Sequence, residues 1–362
     1  MRILHVTPFY EPAWAYGGMA RGSSGLCRAL VRRGHEVTVA TSRLEPSQSA
    51  DESLGGVRVR RFDGPAFLQR RLVPVARGLG EFVRTALPAC DIVHIHGHRN
   101  GLAVTASRVL AAARRPWVLQ TSGTFPYHGQ HALLKALFDR AWGDLVVAGA
   151  AALVAVSEAE ARDLPRAARV VPNGVLSAGT AARTRSGGRP RLLFVGSDRP
   201  QKRGHRLPSL LAAVPDAELH LVGPMGDRFR HLFDRFGDRV RAHGVLAGDA
   251  LAAAYADADV VVFPAVGDAF GLVPFEAALA GTAAVVAGGH GCGEWFARAG
   301  GGVVPPDDDR ALAEAVRVRL ADPAQRRRES QAVALFVTRH LTWDEAAART
   351  LSLYGDVLEG RA

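Results

Sequence analysis

The sequence predicts an α/β protein made of two Rossmann-like units, and three observations carry that expectation. Residues 2–7 form an apolar run that ends at Pro8. A loop and a helical pattern follow, and a second apolar run starts at His35; this βαβ opening implies a parallel sheet. Residues 191–196 repeat the opening at mid-chain, so the second half restarts as the first did. The third observation is Asp259-Val260-Val261-Val262-Phe263-Pro264 followed by Asp268-Ala269-Phe270-Gly271-Leu272-Val273-Pro274-Phe275-Glu276. It reads as a buried parallel strand, a Gly-containing turn and a helix that stops at Gly281. Such a turn is where open α/β sheets hold ligands, and its free N–H groups suit a phosphate.

In chain order, a loop rich in Pro, Tyr and Trp leads to Gly17-Gly18, whose missing Cβ atoms let backbone approach a ligand. The pair lacks the third glycine of a nicotinamide fingerprint. A helix is expected over residues 20–33, stopped by Gly34, then strands over 35–41 and 57–62. Residues 74–87 carry Val75, Leu79, Phe82, Val83 and Leu87 at helical spacing. Two readings follow: a helix covering the sheet, or a peripheral membrane contact. Residues 91–98 make a strand with His94, His96 and His98 at period two. With no carboxylate or further histidine at a supporting spacing, no metal site is expected. Another strand over 116–121 reaches the tip Ser122-Gly123-Thr124, strand-like segments span 145–156, and residues 177–190 form a linker. In the second half, strands are expected over 191–196, 217–223, 240–246 and near Val285 and Val303. Helices are expected over 310–320, 323–338 and 342–358.

Asp268 and Glu276 lie eight positions apart around the turn. A buried carboxylate is costly unless it is paired or hydrogen-bonded, so two of them flanking an anion-binding turn suggest a polyhydroxylated ligand. The bland alternative is an N-cap Asp and a surface Glu.

These residues resemble the acidic-x7-acidic signature of the retaining GT-B glycosyltransferases of the glycosyltransferase group 1, GT4-like family. Phe270-Gly271-Leu272 and Glu276-Ala277 match it, while Asp268 stands where Glu is usual. Gly17-Gly18 resembles the family's donor-facing glycine loop, Gly34-His35-Glu36-Val37 its "GHEV" turn, Ser157-Glu158 its "VSE" turn and Pro172-Asn173-Gly174-Val175 its "PNGV" turn. The resemblance implies a GT-B fold: two Rossmann-like domains facing across a cleft, with a C-terminal helix crossing back to the first. The implied domains are residues 1–178 (acceptor), 190–342 (nucleotide-sugar donor) and the helix 343–362.

The resemblance also implies a retaining, metal-independent transfer from a nucleotide-diphosphate sugar such as a UDP- or GDP-sugar, with no other cofactor. The catalytic set would be Asp268, Lys202 and Arg203. Donor contacts would come from Gly17, Gly18, Arg199, Lys202, Arg203, His243, Val245, Phe270, Gly271, Leu272 and Glu276. His96, His98, Ser122 and Gly123 would face the acceptor: a small molecule, lipid or polysaccharide precursor. Ser122 replaces a histidine common at that tip, for which His98 or His128 could substitute, and Ser197 replaces an arginine for which Arg199 could compensate. These departures keep two rivals open, an inactive sugar-nucleotide-binding protein and a GT-B phosphorylase or epimerase.

Composition fits this class. Hydrophobic residues make up 48% and charged residues 22% of 362 residues, which is globular and about two domains long. The net charge of +10 is nearly all arginine, because Lys135 and Lys202 are the only lysines. It is spread without aromatic interleaving, which argues against nucleic acid. Three spaced cysteines without a C-x-x-C pair fit a reduced cytoplasm, no apolar run reaches membrane length, and the Ala- and Arg-rich composition suggests a bacterial, GC-rich source.

Overall fold

The computed structural model describes residues 1–14, 18–65, 75–125, 132–179 and 181–361, and it divides into two compact units. Unit 1 is Met1–Gly174 with Trp343–Ala362, and unit 2 is Val175–Thr342.

Unit 1 holds an eight-stranded sheet: β1 (Arg2–Val6), β2 (Glu36–Ser42), β3 (Asp51–Leu54), β4 (Val57–Phe62), β5 (Ile92–His96), β6 (Trp117–Gln120), β7 (Ala152–Ala155) and β8 (Arg169–Val170). The order is β3-β4-β2-β1-β5-β6-β7-β8, parallel except for the β3/β4 hairpin. Alternate residues of each strand feed two cores: Leu4 and Val6 on one face, Ile3, Val37 and Val39 on the other. The helix Leu79–Ala86 buries Leu79 and Val83 in the first core, so its apolar face covers the sheet. The helix Gly18–Arg32 covers the second face together with the C-terminal helix Trp343–Leu358. Gly25 is needed there, because a Cβ at this position would sit 2.2 Å from the Trp343 ring.

Two local expectations in this unit need correcting. Residues 145–156 are not all strand: Asp144–Ala148 forms a π-helical turn, and only Ala152–Ala155 pairs in the sheet. An apolar run of that length fits either state until its neighbours are known. The histidines 94, 96 and 98 do not share a face. The strand ends at His96 and Gly97 turns the chain at φ +69°.

Unit 2 is a six-stranded parallel sheet: β9 (Arg191–Val195), β10 (Glu218–Val222), β11 (Val240–Ala242), β12 (Val260–Phe263), β13 (Ala283–Ala287) and β14 (Gly302–Val304). The order β11-β10-β9-β12-β13-β14 is the doubly wound Rossmann arrangement, with its topological switch between β9 and β12. The expected linker starts inside this unit, and its residues 183–190 are bound to it: Arg183 and Arg185 reach Asp259, and Arg189 reaches Asp238. No described helix is long and apolar enough to cross a membrane.

Candidate active site

Sheet topology directs attention to the crevice beyond the carboxyl ends of β9 and β12. The loop after β9 carries the basic residues, the loop after β12 carries Asp268, and the helix that follows carries Glu276. The two loops meet: the Lys202 ammonium donates to Asp268 Oδ2 at 2.6 Å and lies 5.3 Å from the Phe263 ring centroid. The Val266 amide donates to the Gln201 carbonyl at 2.8 Å, which holds the two loops together.

The bland alternatives for the two acids fail. The helix Val273–Leu279 has Leu272 at its N-cap, so Asp268 caps nothing. Glu276 is buried, and its Oε2 accepts from the Tyr255 hydroxyl at 2.8 Å. Phe270 is buried and stacked on Phe275, while a Cβ on Gly271 would come 2.6 Å from the Phe263 ring. The turn must therefore have glycine at this point. Lys202 and Arg203 separate clearly. Arg203 sits in the left-handed region at φ +49° and pairs with Asp307, while Lys202 pairs with Asp268.

The remaining donor candidates spread around this centre. Arg199 is exposed at the start of the basic loop. His243 bonds His220 at 2.9 Å in a chain that continues to Glu218 and Arg191; burial first, then Arg191, holds both imidazoles below their ordinary value. Val245 is exposed. Gly223 ties the turn to the crevice: its amide donates to the Gly244 carbonyl at 2.7 Å, and a Cβ on it would lie 1.7 Å from the Gly196 oxygen. Sequence reasoning missed His290 and Cys292. Their Nδ1 and backbone N–H meet the Asp268 carbonyl at 3.2 and 3.3 Å, and burial keeps the His290 imidazole neutral by lowering its pKa. Their only signal was position just beyond the strand that follows the acidic turn.

In unit 1, Gly18 opens the helix Gly18–Arg32, whereas Gly17 and His128 lie outside the described residues. His98 is buried, bonded to the Thr124 hydroxyl at 3.0 Å and 3.5 Å from Asp139, itself held by Arg99. Ser122 has φ +51°, and the Gly123 amide donates to Glu160. Glu160, also missed, is buried and accepts from the Thr121 hydroxyl at 2.7 Å and the Val156 amide at 2.8 Å. It thereby fixes the tip's backbone. His96 is not at the surface: its Nε2 lies 2.9 Å from His5 Nδ1, and His94 Nδ1 lies 2.6 Å from the Tyr354 hydroxyl. The further histidine judged absent from local spacing is His5, brought opposite His94 by the β1/β5 register. The three imidazoles offer nitrogens within 4.8 Å of one another, but the rings stack, with His94 and His96 at an interplanar angle of 8°. The stacked rings and the His5–His96 bond form a buried polar cluster in which His5 Nε2 and His94 Nε2 have no hydrogen-bond partner among the described residues.

Comparison with known proteins agrees with this geometry. The family "Glycosyl transferase 4-like domain" matches residues 17–176, and "Glycosyl transferases group 1" matches residues 189–322. A D-inositol 3-phosphate glycosyltransferase of Thermomonospora curvata is 30% identical over 97% of this chain and 93% of its own length. A glycogen synthase of Mycobacterium tuberculosis is 29% identical over 98% and 94%. Among solved structures, sucrose-phosphate synthase from Thermosynechococcus elongatus has a TM-score of 0.78 at 21% identity, covering 99% of this chain and 100% of that one. Anabaena HepE in complex with UDP-glucose has a TM-score of 0.73 at 20% identity, covering 98% and 100%. Two Rossmann-like units, two consecutive family matches and full-length relatives converge: the chain belongs to the glycosyltransferase group 1, GT4-like family and has the GT-B fold.

Proposed function

We propose that the protein moves a sugar from a nucleotide-diphosphate sugar to an acceptor hydroxyl, with retention of anomeric configuration and without a metal ion. The observation that carries this reading is the Lys202–Asp268 contact of 2.6 Å at the β9/β12 switch point, with Glu276 buried on the adjoining helix. In the reaction the anomeric C–O bond to the diphosphate breaks, the acceptor oxygen bonds the same carbon on the same face, and its proton passes to the departing diphosphate oxygen. Charge then builds on the departing diphosphate. Lys202, Arg199 and the amides of residues 270–272 would meet it in place, which is electrostatic preorganisation. Arg203 would join by exchanging Asp307 for a phosphate oxygen. Glu276, oriented by Tyr255, would take ribose hydroxyls, and Asp268 would hold sugar hydroxyls near the reacting carbon.

Support comes also from the relatives. The fold neighbour HepE was solved with UDP-glucose, and the full-length relatives above are a D-inositol 3-phosphate glycosyltransferase and a glycogen synthase. The acceptor is therefore proposed to present a polyol or sugar hydroxyl. The test is incubation of the purified protein with UDP-, GDP- and ADP-glucose, with and without EDTA and candidate acceptors. Nucleotide release that survives EDTA and an α-linked product from an α-donor are expected. An inverted product, loss of turnover in EDTA, or no donor binding at all contradicts the proposal.

A further inference from the structure

A second charged cavity lies in unit 2 at the opposite, amino-terminal edge of the same strands. Its walls are residues that precede β9, β12 and β13, together with the start of the helix Pro323–His340. Its volume is about 490 Å³, within the ordinary range for a small-molecule site. Four guanidinium groups line it, from Arg183, Arg185, Arg326 and Arg327, and one carboxylate, Asp259.

That carboxylate is already fully engaged. It accepts from Arg183 at 2.8 Å, Arg185 at 3.1 Å, Arg326 at 3.4 Å and the Arg191 amide at 2.8 Å. Arg327 has no carboxylate at ion-pair distance among the described residues. Four positive charges against one negative leave +3 in the cavity. The cluster is solvated on one side only: the Arg185 and Arg326 side chains are 13% and 17% exposed, whereas Arg183 is 42% exposed and Arg327 lies at the exposed rim. Burial first, and then the neighbouring Arg183 and Arg327, hold the Arg326 guanidinium below its ordinary value. Like charges gathered at partial burial repel one another, and an anion entering between them relieves that cost. Guanidinium forks match phosphate oxygens in bidentate geometry, and the Gly187-Gly188 backbone and the Thr282 hydroxyl stand on the same wall.

We infer that this cavity is a binding site for a phosphorylated small molecule, separate from the candidate donor crevice at the carboxyl ends of the strands. Its occupant ties residues 183–190 to the sheet edge through Arg183 and Arg185.

The test is calorimetric titration of the full chain with inorganic phosphate, pyrophosphate and glucose 6-phosphate, against sodium chloride at matched ionic strength. The parent protein, the Lys202→Ala variant and the Arg183→Gln/Arg327→Gln double variant are compared. In the parent, binding that survives Lys202→Ala is expected, any donor-crevice component being lost in that variant; the surviving binding is weakened about tenfold or more in the double variant, as befits loss of two charge-assisted contacts. Preference for pyrophosphate or for glucose 6-phosphate then separates an inorganic from an organic phosphate source. Signal that disappears in Lys202→Ala and persists in the double variant assigns the anion to the donor crevice and overturns the inference. So does a response no greater than that to chloride. Should the double variant lose its fold, crystals of the unaltered protein soaked in tungstate decide the matter. Anomalous density between Arg183 and Arg327 is expected, and density confined to the Lys202 loop refutes the site.

Discussion

Acidification should destabilise unit 1, because three buried histidines cluster in its core and one of them, His94, bonds Tyr354 of the C-terminal helix. Burial drives the His5 and His94 imidazoles well below their ordinary value, with His96 adding to the effect, and brings His96 down to about 3. The groups facing them are Tyr354, hydrogen-bonded to His94, and beside it Cys27 and Cys90, all kept neutral by burial. Among the described residues, no carboxylate acts on the three imidazoles to stabilise a proton there. An unfolded histidine titrates near ~6.5, so below that pH the unfolded chain binds more protons than the folded one. The contribution is complete above the unfolded value and is lost as pH falls through it, down toward the depressed folded values. Each histidine then costs about 1.4 kcal/mol per pH unit, so three together remove roughly 4 kcal/mol at pH 5.5. Against a domain stability of about 5–15 kcal/mol this corresponds to a melting shift on the order of 10 °C. Melting curves by near-ultraviolet circular dichroism at pH 8, 7, 6 and 5.5 measure it, with His96→Leu as the comparison. That variant should lose about a third of the cluster's pH slope. Equal melting at pH 8 and 5.5, or a variant with the parent's slope, refutes the reasoning.

Three further outcomes follow from contacts already described. Gly25→Leu drives a side chain into the Trp343 ring, which a Cβ alone would approach to 2.2 Å, and should destabilise unit 1 by about 1–3 kcal/mol in urea melts. Gly223→Ala collides with the Gly196 backbone and occupies φ +128°, so it should lower stability by roughly 2 kcal/mol or more and weaken nucleotide binding measured by calorimetry. Tyr255→Phe removes the hydroxyl that Glu276 accepts from and should cost about 1–2 kcal/mol of stability, along with several-fold in donor affinity. An unchanged affinity would mean that Glu276 does not touch the donor.

Much of the fold was legible because its signals are local. Val260-Val261-Val262-Phe263 is apolar on both faces, as a central parallel strand must be, and the halves restart with the same pattern. Asp268 and Glu276 stood out by their spacing beside Phe270-Gly271-Leu272. That Lys202 and not Arg203 meets Asp268 was favoured by the scarcity of lysine but not fixed, because it depends on Arg203 adopting a left-handed turn toward Asp307. His5 escaped notice for a related reason: its partners lie roughly ninety residues away and meet it only through strand register. The segment 183–190 looked like a bare linker, since nothing near it in sequence announces the buried Asp259 that collects its arginines. Residues 144–148 were ambiguous in principle, because Leu-Val-Val-Ala suits a strand and a tight helical turn alike.

The most direct measurement of the central claim is single-turnover transfer, or nucleotide-sugar hydrolysis, by the parent protein, Lys202→Ala and Glu276→Ala, each first shown to be folded by its melting curve. Losing one preorganised charge contact is worth about 100-fold or more, so both variants should fall by at least that factor while keeping their structure. Folded variants that turn over at near-parental rates would contradict the placement of the active site at the β9/β12 crevice.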